Sequence, residues 1–71
     1  MFNITQDMIN KINIKRVAKR EGRTFVWIAK QLGVTPITVT YWATGKRRVS
    51  KIHLHALANL LNVPIEDFFE E

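Results

Sequence analysis

The sequence predicts an all-α domain built from five short helices. Three observations carry that prediction. Apolar residues recur three and four apart, as in Ile14–Val17–Ala18, Ile28–Ala29–Leu32 and Leu54–Leu57–Ala58–Leu61, the stripe of a helix with one buried face. The apolar runs are bounded by start and stop residues: Thr24, Thr35–Pro36 and Ser50 in front, Gly22, Gly33, Gly45 and Asn62 behind. No stretch alternates as a strand does, and 71 residues suffice for one domain only.

Residues 1–9 read as an N-terminal arm. The first helix is expected from about Asn10 to about Glu21, although Asn13 could equally cap a helix that starts at Ile14. Phe2 and Ile4 of the arm are expected to pack on the body. Ile14, Val17 and Ala18 form the helix's inner stripe, and Gly22 ends it. The second helix follows Thr24 and buries Ile28, Ala29 and Leu32. The third spans about Pro36 to Thr44: a threonine cap followed by proline at the first helical position is a start signal. Val39 and Trp42, three apart, face its core side. Ser50 opens the fourth helix and Asn62 closes it. Pro64 opens a short fifth, with Ile65 and Phe68 inward.

The stretch 24–45 organises the rest. Ala29 is small where the next helix must cross closely, Gly33 makes the turn, and Thr35–Pro36 starts the second helix of the pair. That is a helix-turn-helix, whose second helix reads a nucleic-acid groove. Ile28, Ala29, Leu32, Gly33, Val39 and Trp42 are its expected structural core.

Charge supports a polyanionic partner. The net charge is +5, and all eleven Lys and Arg lie between Lys11 and Lys51, opposed there only by Glu21. Glu66, Asp67, Glu70 and Glu71 make the C-terminal end acidic. A concentrated cationic surface favours a polyanion through counterion release. With no cysteine, disulfides and thiolate metal sites are excluded. His53 and His55 are two apart on a helix and point in different directions, so no metal site is expected. No nucleophile–base pair or placed carboxylate pair suggests an enzyme, and no cofactor or small-molecule ligand is expected. There is no membrane span or signal peptide, so a soluble cytoplasmic protein is expected.

The spacing of Ala29, Gly33, Val39, Trp42 and Gly45 resembles the helix-turn-helix of the lambdoid phage repressor and Cro proteins, the XRE family. The resemblance extends through IKRVAKREGRT, like the family's first helix and linker. It continues with HLHALANLLNVPIEDFF, like its fourth helix, hinge and short fifth helix; about residues 14 to 69 are covered. It implies a compact five-helix lambda-repressor-like domain, bacterial or phage-encoded. Its function would be sequence-specific binding of double-stranded DNA as a transcriptional regulator, foremost a repressor, with the third helix in the major groove.

By that family's geometry, Thr35, Ile37, Thr38, Thr40, Tyr41 and Thr44 meet base edges. This set contains no Arg, Lys, Asn or Gln, so the strong bidentate contacts to guanine or adenine are missing. The family's frequent glutamines are replaced by Phe25 and Pro36. Readout is therefore expected to lean on thymine-methyl contacts and DNA shape. Arg23, Thr24, Lys30, Lys46, Arg47 and Arg48 are the phosphate candidates, with Lys15 and Lys19 behind them. Phe68 and Phe69, in the possible dimerisation end 62–71, are the candidate interface of a homodimer on a two-fold symmetric operator. Trp27 is expected over the arm or the first helix, or exposed as an anchor for a partner. Two alternatives stand beside this reading: a protein-interaction module of antitoxin or adaptor type on the same fold, and binding to RNA.

Overall fold

Four side-chain caps set where the helices begin. In the computed structural model, which describes residues 8, 9 and 12–69, α1 is Ile14–Arg20, α2 is Phe25–Leu32, α3 is Pro36–Thr44 and α4 is Lys51–Leu61. Asn13, Thr24, Thr35 and Ser50 precede them, and each side-chain oxygen accepts the backbone N–H three residues on. These bonds satisfy donors that the first turn of a helix leaves unpaired. Three of the helices end on a left-handed residue: Gly33 after α2, Gly45 after α3 and Asn62 after α4.

The start of α1 corrects the expectation of a helix from about Asn10. Asn13 has φ −88° and ψ 58°, outside the helical region, and the helix begins after it. A second correction concerns strands. Met8–Ile9 (β1) pairs antiparallel with Val49–Ser50 (β2), with Met8 opposite Ser50 and Ile9 opposite Val49. Two residues are too few to show a period of two, and their partners lie some forty positions away. The fifth helix is a 3-10 segment, Ile65–Phe69, rather than an α-helix. Phe2, Ile4 and the rest of residues 1–7 lie outside the described residues, as do Asn10, Lys11, Glu70 and Glu71.

One core collects the inward faces. Ile14, Val17 and Ala18 of α1 meet Ile28 and Ala29 of α2, Val39 and Trp42 of α3, and Leu54, Leu57, Ala58 and Leu61 of α4; Ile12, Val49 and Phe68 complete it. Leu32 is half-buried against this cluster, and Gly33 is exposed, a turn residue rather than a core one. α2 packs chiefly on α3, with Ala29 small at the crossing. The N–H of Val34 donates to the Ala29 carbonyl at 3.0 Å and closes the turn between them.

The two phenylalanines of the C-terminal end part company. Phe68 is 1% exposed and belongs to the core, so it does not offer a dimer surface; Phe69 is 49% exposed. Adjacent residues on a tight helix cannot face the same side, and Phe68 takes the inner one. Asp67 is likewise not a free chain-end carboxylate: its Oδ2 accepts from Arg20 Nη2 at 2.5 Å. That contact, with a second from Glu21, raises the Arg20 pKa above its ordinary value.

Candidate nucleic-acid interface

α3 lies with Val39 and Trp42 buried, which turns Ile37 to solvent at 53% exposure. Thr35 and Thr44 are also exposed, and Thr38, Thr40 and Tyr41 are half-buried on its flanks. The hydroxyls on this helix are engaged locally. Thr40 donates to the Pro36 carbonyl at 3.3 Å and Thr44 to the Tyr41 carbonyl at 3.4 Å. Thr35 accepts the Thr38 N–H, and the two hydroxyl oxygens lie 2.9 Å apart. A threonine whose proton is committed to its own helix presents outward only lone pairs and a methyl group.

Two grooves flank α3. The first, about 520 Å³, runs between α3 and the α1–α2 corner; Ala18, Phe25 and Ala43 line it with Thr40 and Thr44, and Lys15, Lys19, Arg23 and Thr24 border it. The second, about 640 Å³, lies between α3 and the start of α4. It is lined by Val34, Thr35, Thr38 and Trp42 and bordered by Arg47, Arg48, Ser50 and His53. Cations therefore stand on both sides of the exposed helix.

The basic loop after α3 is held in place. The Arg47 N–H donates to the Tyr41 carbonyl at 3.2 Å. Lys46 Nζ and the Arg47 guanidinium lie 5.4 and 5.9 Å from the centre of the Tyr41 ring, within cation–π range. On the other side, the Arg23 guanidinium lies 4.2 Å from the centre of the Trp27 ring. Trp27 is half-buried against the core beneath that cation, not an open anchor.

The structure thus gathers most of the sequence-derived candidates around α3. Thr40, Thr44, Arg23 and Thr24 share one groove; Thr35, Thr38, Arg47 and Arg48 share the other. Lys30 is exposed on α2 and borders neither groove. The sequence marks Ser50 as a cap and gives His53 no role in the interface. Here the Ser50 hydroxyl is 2.9 Å from His53 Nδ1, and the His53 ring lies 5.2 Å from that of Trp42. The Ser-x-x-His spacing was visible, but its place beside Arg47 and Arg48 was not.

Comparison with known proteins agrees with this geometry. A helix-turn-helix family model matches residues 28–68, more than half of the chain. The chain belongs to that family, in its XRE and lambda-repressor type, and is an all-α DNA-binding domain of the class. It is similar to the crystal structure of "a putative DNA-binding protein from Bacteroides fragilis", with a TM-score of 0.75 and 33% identity. That likeness covers 84% of this chain and 94% of the other. No curated protein sequence matches. Among the described residues no helix is long and apolar enough to cross a membrane.

Proposed function

We propose that this protein regulates transcription by binding duplex DNA with α3 in the major groove, foremost as a repressor that occupies a promoter. The observation that carries this reading is the placement of α3. It stands exposed between two grooves, with Lys15, Lys19 and Arg23 on one side and Arg47 and Arg48 on the other. A major groove has a phosphate backbone along each edge, and cations on both sides of a helix suit that arrangement.

Base recognition falls to Thr35, Ile37, Thr38, Thr40, Tyr41 and Thr44. Ile37 and the threonine methyls suit thymine methyl groups. The outward lone pairs of Thr40 and Thr44 suit the amino groups of adenine and cytosine. Phosphates fall to Arg23, Thr24, Lys46, Arg47 and Arg48. Sequence preference is accordingly modest in direct contacts and draws on DNA shape. The protein acts in the cytoplasm, without cofactor or catalytic role, as a homodimer on a two-fold symmetric operator. Phe69 supports the dimer, as an aromatic side chain half-exposed at the C-terminal end.

Selection of bound sequences from random duplex DNA tests the whole reading. The expected result is a pair of inverted, A·T-leaning half-sites about one DNA turn, or 34 Å, apart. Guanine-rich half-sites would overturn the account of readout. A single half-site bound by a monomer would overturn the dimer. Stronger binding to structured RNA than to duplex DNA, or no nucleic-acid affinity at all, would overturn the function.

A further inference from the structure

The Trp27 indole meets the Arg23 guanidinium, and Arg23 borders the groove between α1, α2 and α3. The guanidinium carbon lies 4.2 Å from the ring centre, close enough for a stacked cation–π contact. The backbone N–H of each partner is engaged. The Arg23 N–H donates to the Ala18 carbonyl at 2.8 Å, and the Trp27 N–H donates to Thr24 Oγ1 at 3.0 Å. Trp27 is half-buried against the core, so the ring has a firm backing. Arg23 is exposed, and no carboxylate among the described residues pairs with it; the nearby Glu21 is engaged with Arg20.

We propose that Trp27 is a positioning residue for DNA binding: its ring holds the Arg23 guanidinium at the groove edge, ready to meet a phosphate. This rests on the DNA-binding reading above and deepens it. A free arginine loses side-chain freedom when it grips a phosphate, whereas one already laid on a ring has lost most of it beforehand. Stacking occupies the flat face of the guanidinium and leaves its N–H edges, which bond phosphate oxygens, pointing outward. The contact therefore adds affinity without consuming the donors that make it.

The test is a double-mutant cycle on duplex DNA of Trp27→Leu and Arg23→Ala in the full chain, with Trp27→Phe alongside and the melting temperature of every variant recorded. The expected result is that Trp27→Leu weakens DNA binding roughly two- to five-fold in the presence of Arg23. In the Arg23→Ala background the same change has no effect, and Trp27→Phe restores part of the loss. An equal loss in both backgrounds would make Trp27 merely structural and overturn the proposal, as would no loss in either. If Trp27→Leu does not fold, nuclear magnetic resonance of the unaltered chain decides. Arg23 side-chain protons shifted upfield by the indole, both free and on DNA, are expected; protons unshifted in either state overturn the proposal. An unaltered chain without salt-dependent affinity for duplex DNA would instead remove the DNA reading, and the proposal with it.

Discussion

The backbone N–H of Asn13 donates to the carbonyl of Phe68 at 2.7 Å, joining the residue that caps α1 to the residue that closes the core from the far end of the chain. Beside it, Arg20 of α1 grips Asp67. The 3-10 segment is thereby fastened to α1 while its aromatic side chain is driven inward. The C-terminal segment is part of the scaffold that holds the helix-turn-helix.

Phe68→Ala should therefore cost about 3 to 5 kcal/mol, the range for emptying a buried aromatic site. That is a large share of the stability of a small domain. Phe69→Ala, at a half-exposed position, should cost about 0.5 kcal/mol or less. Chemical denaturation of the two variants measures the difference. Equal losses would refute the division between an inner and an outer phenylalanine.

Gly33 sits at φ 73°, and a methyl group added there meets nothing within 4 Å. The cost of Gly33→Ala is then backbone conformation alone, about 1 to 2 kcal/mol. Gly33→Asn should cost less, because asparagine tolerates the left-handed region better. Thermal melts of the pair give the ordering. A larger loss for Asn would indicate a clash that the geometry does not contain.

Ser50 caps α4 and also borders the groove holding Arg47, Arg48 and His53. Ser50→Ala should lower stability by about 1 kcal/mol through loss of the cap. Ser50→Asp should retain the cap while placing a negative charge among the cations, so that stability holds but DNA affinity falls. Denaturation and duplex binding, measured on the same samples, separate the two effects.

Arg47 and Lys30 carry the same charge in different places: Arg47 borders a groove beside α3 and Lys30 borders neither. Arg47→Ala should weaken binding on all sequences alike and reduce the salt slope by about one. Lys30→Ala should leave that slope nearly unchanged. Salt titrations of binding decide this, and equal slopes for the two variants would mean that bulk charge, not placement, holds the DNA.

Much of the fold was legible because its signals are local. Thr24, Thr35 and Ser50 each cap a helix by a bond to a residue three positions on, and Gly33, Gly45 and Asn62 each end one by their own backbone angle. The candidate site was legible only in part. The absence of amide and guanidinium side chains from α3 is a matter of composition. The division of its flanks into two cationic grooves depends on how α1 and α4 pack beside it. The start of α1 was legible only as an alternative, Asn13 capping a helix from Ile14 beside a helix from about Asn10, because neighbouring residues do not choose between the two.

The amino-acid sequence by itself determined the helices from α2 to α4, the turn between α2 and α3, and the residues of α3 that have no place in the core. Each of these follows from interactions within one or two turns of chain. Only the tertiary structure decided that Met8–Ile9 pairs with Val49–Ser50 and that Arg20 is tied to Asp67 across 47 residues. It also decided that Arg23 lies on Trp27. The reason is physical. A cap or a turn is satisfied by its neighbours whatever the rest of the chain does, whereas a cross-chain pair or the direction of an aromatic side chain is set by which surfaces the packed helices leave open.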